Sequence, residues 1–249
     1  MASLARSAEP DVRTDACEPS VLPLLTPQEG YDRWAETYGD NRTPVQVLEA
    51  AALERLLPDL SDLVVLDCGC GQGRVSRLAL ARGAQQTVGV DLSPEMLRAA
   101  EVALPSAQWI RADVLDLPFA PQTFDAVICS LVLGHVEDLE RALRQIARVL
   151  RPGGVLLLSD FHPYATLRGW QRSFSDVREG RSYAIQQHLH MFEDYVRVFA
   201  DLNIVLEDLA EPRYQGFPLV FVLRARKQGE HGTPHQASPL EISARRGVR

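Results

Sequence analysis

Cysteine is scarce in these 249 residues: four occur, Cys17, Cys68, Cys70 and Cys129, and no two form a Cys-x-x-Cys pair. A disulfide framework is therefore not what holds the chain together, and free thiols in a reducing compartment are the expectation. The opening MASLARSAEPDVRTDACEPS lacks the apolar stretch of a secretory leader, and no later window is long and uncharged enough to span a bilayer, so a cytoplasmic protein is expected. Basic surplus is missing as well. Asp and Glu number 33 against 26 Lys and Arg, and the resulting net charge of −7 argues against a broad nucleic-acid footprint. No internal repeat is visible, and the length suits one domain with a sizeable core.

What is present is an alternation of short apolar runs with amphipathic ones. After two helical stretches in YDRWAETYGD and VLEAAALERLL, apolar runs at Leu63 to Asp67, Thr87 to Asp91, Gln108 to Ala112, Phe124 to Leu131 and Val155 to Ser159 read as strands. Between them lie helices at Gly73 to Arg82, from Pro94 through Ala103 with Ser93 as N-cap, and from Leu139 to Leu150, which RPGG ends. Phe192 to Leu202 reads as a further helix, and Ile204 to Leu209 and Leu219 to Ala225 as two more strands. Such alternation specifies a Rossmann-like, doubly wound α/β sheet with helices on both faces. The expected divisions are mobile tails at 1–25 and 229–249 around a domain at 26–228. Within that domain, cap helices occupy 26–60, a ligand-binding core 61–160, a lid or substrate insertion 161–190, and a C-terminal helix and strands 191–228.

The run VVLDCGCGQGR carries the chemistry. Gly69, Gly71 and Gly73 follow a strand and open a helix, so backbone N–H groups can come close to a bound molecule. Asp91 stands at the end of the second strand, where a carboxylate can accept from both ribose hydroxyls, and Asp113 just past the third, where it can accept from an adenine amino group. The spacing is GxGxG, and Arg74 stands where a dinucleotide site would place its third glycine. Asp67, directly before the loop, is an awkward neighbour for a pyrophosphate but favours a ligand with an ammonium and a sulfonium, which points to S-adenosyl-L-methionine.

LDCGCGQG, VGVDLSPEML, ADVLDLPF, FDAVICSLVLGHV and RVLRPGGVLLLSD stand in an order and spacing that resemble the class I S-adenosylmethionine-dependent methyltransferases. The likeness is greatest to the small-molecule branch with ubiquinone/menaquinone C-methyltransferases and malonyl-carrier O-methyltransferases. It covers about Tyr31 to Lys227. The resemblance implies a seven-stranded sheet with the last strand antiparallel. It also implies that Asp67 and the Gly69 backbone hold the methionine end, Asp91 and Leu92 the ribose side, and Asp113 with the Val114 amide the adenine. Ser130 and Leu131 would border the methionine moiety. Gln72 departs from the usual Thr or Pro of that family.

Methyl transfer from a sulfonium needs chiefly alignment and exclusion of water, and a base only where the acceptor must lose a proton. His162 and His135, each following a strand at the ligand edge, are the candidate bases, with His162 first; His231 and His235 fall in the tail. In RSYAIQQHLHMF, alternation suggests a lid strand with His188 and His190 on one polar face, without enough ligands for a metal site. Tyr31, Trp34 and Tyr38 form an aromatic stripe on the cap helix. The lid's Arg168, Arg172, Arg178 and Arg181 outnumber Asp176 and Glu179, which suggests an anionic or carrier-delivered acceptor. The expected activity is methyl transfer to a small organic acceptor, with O-methylation of a carboxylate or hydroxyl ahead of C-methylation. The rivals are a cofactor-binding protein of the same fold with a non-methylating reaction such as cyclisation, and a NAD-dependent oxidoreductase.

Overall fold

A computed structural model of the chain describes residues 22–39 and 43–229. The expected tails lie outside the described residues except at 22–25 and 229, as do Cys17, His231 and His235. Leu24 and Leu25, assigned above to the tail, form a strand, β1 (Leu24–Leu25). Two Thr-Pro-x-Glu/Gln starts then open α1 (Pro27–Trp34) and α2 (Pro44–Leu56). At each, the threonine hydroxyl accepts from the backbone three residues on, and the Glu29 or Gln46 side chain returns the bond.

Strand and helix alternate from there, as the apolar spacing predicts: β2 (Val64–Cys68), α3 (Arg74–Ala81), β3 (Gln86–Asp91), α4 (Pro94–Ala103), β4 (Gln108–Arg111), β5 (Phe124–Ser130), α5 (Leu139–Val149) and β6 (Leu150–Phe161). Ser93 caps α4, accepting from Met96 N at 3.1 Å. Arg-Pro-Gly-Gly does not separate α5 from the next strand as a free turn. Leu150 already pairs with Phe124, and residues 151–154 form the irregular start of β6. After β6 come α6 (Pro163–Leu167), β7 (Ser173–Asp176), β8 (Arg181–Ile185), α7 (Phe192–Asp201), β9 (Ile204–Ala210), β10 (Arg213–Tyr214), β11 (Phe217–Pro218) and β12 (Val220–Lys227).

Among the described residues, seven strands form the main sheet in the order β4-β3-β2-β5-β6-β12-β9, with β12 antiparallel to both neighbours and the crossovers parallel. Apolar clusters lie on both faces, one under α5 and α7 (Leu143, Ile146, Tyr195, Phe199) and one under α2 and α3 (Leu53, Leu56, Val75, Ala79). Strands buried on both sides explain why their sequences are continuously apolar. The C-terminal ends of β2, β3, β4 and β5 therefore meet at one edge, the ligand side of such a sheet.

A small roof covers that edge. β8 pairs with β1 and β7, and Phe174, Tyr183 and Ile185 pack on Leu25, Tyr31 and Trp34, with the Trp34 and Phe174 rings stacked 5.3 Å apart. The expected strand alternation stops at Ile185. Beyond it the backbone turns to the core, His188 N donating to Gly134 O at 2.6 Å, and Leu189 is exposed.

The roof is fastened by a buried ion pair between Arg172 and Asp160, with Asp160 also accepting from Gly134 N at 2.5 Å. Arg172 is thus not free to steer an acceptor, as the basic lid suggested. Arg178 likewise pairs with Glu36, so two of the four lid arginines meet acids from outside the lid, while Arg33 of α1 occupies the lid's Glu179. Gly134 is needed for space, because a Cβ there would fall 2.8 Å from Arg172 Nη1 and 3.0 Å from Asp160 Oδ1. Removing one partner of a buried pair leaves an uncompensated charge. Arg172→Ala is expected to lower unfolding free energy by about 3–5 kcal/mol in urea denaturation; a loss under about 1 kcal/mol would contradict this role.

Candidate functional site

The β2–α3 turn is built to bring backbone close to a ligand. Gly69 (φ +70) and Gly73 (φ +77) are left-handed, and a Cβ on either would run into Val132 or Trp109 respectively. Gly71 N donates to Asp91 Oδ2 at 2.8 Å, and Ser93 N to the other oxygen of the same carboxylate at 2.9 Å, tying the turn to the end of β3. Burial raises the Asp91 pKa. Asp113 accepts from Leu115 N at 2.9 Å.

These groups border one cavity of about 350 Å³, within the range of small-molecule sites. Gly69, Gly71, Asp91, Leu92, Asp113, Val114, Ser130 and Leu131 all line it, so most of the expected ligand residues are brought together. Leu131 holds φ +61, a left-handed conformation costly for a leucine side chain, at the point where β5 leaves the sheet. Tyr31, Tyr38, His135, Gln186 and His188 close the cavity from the roof side. A wider open groove of about 650 Å³ between α1, α4 and the β7–β8 turn is bordered largely by charged side chains, Arg33, Glu36, Arg178 and Glu179 among them, and lacks the loop's backbone donors.

Asp67 lies beneath the turn and does not border the cavity. Its Oδ2 accepts from Ser76 N and Oγ at 2.8 and 2.7 Å, while Oδ1 is buried without a partner, and burial pushes the carboxyl up to about 6. Arg74, in place of the third dinucleotide glycine, donates to Glu49 at 2.7 Å and to Ser130 Oγ at 2.9 Å. Glu49, fully buried on α2, also accepts from Ser130 and Ser159 at 2.7 and 2.8 Å. The sequence reading missed Glu49, although a lone acid in the apolar stripe of VLEAAALERLL was the available signal. Gln72, the family departure, donates to Ala35 O at 2.6 Å and so links the glycine turn to the cap.

The two histidine candidates part company. His162 is the N-cap of α6: Nδ1 accepts from Tyr164 N at 3.0 Å, Nε2 donates to Glu211 at 2.9 Å, and the ring stays outside the cavity. His135 borders the cavity, with Nδ1 donating to Gln186 O at 2.7 Å and Nε2 accepting from Tyr31 Oη at 2.9 Å. Burial first, and then the Arg172 charge, hold its pKa down to about 3, so the ring is neutral. His190 lies aside, against Val136 O at 2.7 Å. No helix among the described residues is long and apolar enough to cross a membrane.

A family model described as a methyltransferase domain matches residues 66–158. Over 191 residues the chain is 34% identical to a malonyl-[acyl-carrier protein] O-methyltransferase of Pectobacterium atrosepticum, with 72% of each chain covered. It is 32% identical over 200 residues to a ubiquinone biosynthesis O-methyltransferase of Xanthomonas oryzae pv. oryzae, covering 74% of this chain and 80% of that protein. The crystal structure of an S-adenosylmethionine-dependent methyltransferase from Mesorhizobium loti, 27% identical, matches with a TM-score of 0.62 over 72% of this chain and 97% of that one.

The raised Asp67 pKa generates a prediction with a definite sign. A carboxyl whose folded pKa lies above its unfolded value of 3.8 makes the protein lose stability as pH rises from about 4 to about 6, with no further loss above. Asp67→Asn is therefore expected to melt above the parent at pH 8, by on the order of 1–3 kcal/mol, with the gap closing by pH 4; an equal or lower melting temperature at pH 8 would refute it. Motif order, sheet topology, glycine turn and relatives converge: the chain belongs to the class I S-adenosylmethionine-dependent methyltransferases.

Proposed function

We propose that this enzyme transfers the methyl group of S-adenosylmethionine to an oxygen of a small organic or carrier-borne acceptor. The observation that carries the reading is the cavity, lined by the glycine turn and the strand-end acids Asp91 and Asp113 and also by a hydrogen-bonded polar pair, Tyr31 and His135. Bound S-adenosylmethionine supplies a methyl group already activated by the sulfonium charge. The residues fit that molecule. Asp91 borders the cavity where ribose hydroxyls can donate to it, and the Asp113 carboxylate with the Val114 amide suits an adenine edge. Asp67, beneath the glycine turn and outside the cavity wall, can favour a bound ammonium only by its charge acting through the turn.

The chain's own contribution is alignment and dryness. Tyr31, Tyr38 and Gln186 shut the cavity from above, Leu131 and Val132 wall it from β5, and the neutral His135 adds no positive charge that would repel a sulfonium. The similarity to two relatives named as O-methyltransferases supports oxygen over carbon as the acceptor atom.

Calorimetric titration with S-adenosylmethionine and with NAD tests the donor side. Submicromolar to micromolar binding of the former is expected, weakened at least tenfold in Asp91→Ala through loss of charge-assisted bonds. Thermal melts would verify that the variant stays folded. Binding of NAD alone, or unchanged affinity in Asp91→Ala, would contradict the reading.

A further inference from the structure

The cavity has a marked charge character. Among the described residues, its wall contains the carboxylates of Asp91, Asp113 and Glu137 and neither lysine nor arginine. The nearby guanidinium of Arg172 is engaged by Asp160 behind the cavity. Arg74 and Arg77 border a cleft of about 190 Å³ that shares Tyr38, Gly69, Gly71, Ser130 and Leu131 with the cavity, and Arg74 is held there by Glu49. With Asp91 and Asp113 given to the nucleoside, the wall left to an acceptor holds, among the described residues, Glu137 and no lysine or arginine that could pair with an anion.

The polar groups at the roof end are arranged for a proton instead. Gln186 O can only accept, so His135 carries its hydrogen on Nδ1, and Nε2 is left as an acceptor that receives the Tyr31 O–H. Among the described residues Tyr31 Oη makes no other hydrogen bond, which leaves its lone pair open to a donor in the cavity. Tyr31 itself is held by stacking on Trp34 and edge contacts with Tyr38 and His135.

We propose that the acceptor is a neutral hydroxyl compound of the phenol or alcohol class, seated with its O–H on Tyr31 Oη, and that the Tyr31–His135 pair takes up its proton. This rests on the reading of the cavity as the methyl-transfer site. The methyl C–S bond breaks as the C–O bond forms, the C–S electron pair staying on sulfur. The acceptor's proton passes to Tyr31 Oη while the phenol's own proton passes to His135 Nε2. An oxygen that has gained a methyl group and still holds its proton is a far stronger acid than an imidazolium, so the buried histidine can accept despite its low basicity. The imidazolium that forms replaces the sulfonium charge that disappears, leaving the charge within the cavity unchanged. His135 acts through Tyr31 and is a proton acceptor one bond removed from the acceptor.

The test uses the full chain with S-adenosylmethionine and two probes, catechol and malonyl-N-acetylcysteamine, following S-adenosylhomocysteine and the methylated product. Catechol should be O-methylated with a kcat/KM at least tenfold above the malonyl thioester's. Tyr31→Phe, which keeps the ring and its stacking, should lower kcat on catechol roughly 100-fold while the KM for S-adenosylmethionine moves less than threefold. The loss should shrink on 4-nitrocatechol, whose more acidic hydroxyl needs less help. His135→Gln is the second variant and should follow the same pattern. Preference for the malonyl thioester would overturn the hydroxyl assignment and leave O-methylation standing. A change of twofold or less in Tyr31→Phe, or an effect on KM alone, would overturn the proton role. Absence of product from both probes and from a wider oxygen panel would overturn the functional reading as well.

Discussion

The Asp160–Arg172 ion pair sets the relation between the sheet and everything that closes over it. Asp160 stands one residue before the end of β6, Arg172 directly precedes the β7–β8 hairpin, and Gly134 in the turn after β5 leaves just the room the pair needs. Through that one contact the hairpin, the turn bearing His135 and the strand edge are held in one arrangement. The pair has a second consequence. Paired to Asp160 behind the cavity, the lid's most deeply buried arginine adds no free cation to the chamber itself.

The site accepts costs that a purely structural fold would avoid. Asp67 is buried with one oxygen unpartnered among the described residues, Asp91 is half-buried at the tip of β3, Glu49 is buried on α2, and Leu131 holds a left-handed backbone. Buried acids and strained backbone persist where the surroundings over-determine them, and such places cluster at functional sites. Asp91 and Leu131 border the cavity, Asp67 bonds to Ser76 beneath the glycine turn, and Glu49 bonds to Ser130 in the cavity wall. The same acids that disfavour an anionic guest favour a donor carrying ammonium and sulfonium charges.

Much of this was legible in the chain itself, for identifiable reasons. Strands buried on both faces must be continuously apolar, and helices packed on one side must be periodic, so β2 to β6 and α3 to α5 stand within a few residues of their expected positions. The glycine turn and Asp91 were readable because left-handed backbone and a carboxylate at a strand end have few substitutes. What failed depended on partners distant in sequence. Both His135 and His162 follow strands at the ligand edge, and only the tertiary contacts separate a cap bonded to Glu211 from a ring facing Tyr31. The alternation through His190 suggested a longer strand, but past Ile185 the backbone bonds to Gly134 instead. The lid arginines suggested a free positive field, whereas Arg172 and Arg178 meet Asp160 and Glu36, residues outside the lid or at its edge.

The central claim is that a single cavity seats the donor with its nucleoside on β3 and β4 and its sulfur toward the Tyr31–His135 pair. A crystal structure with S-adenosylhomocysteine bound measures this most directly. The account predicts ribose hydroxyls on Asp91, the adenine beside Asp113 and Val114, and the sulfur turned toward Tyr31. A sulfur facing away from Tyr31, or a nucleoside outside this cavity, would contradict it.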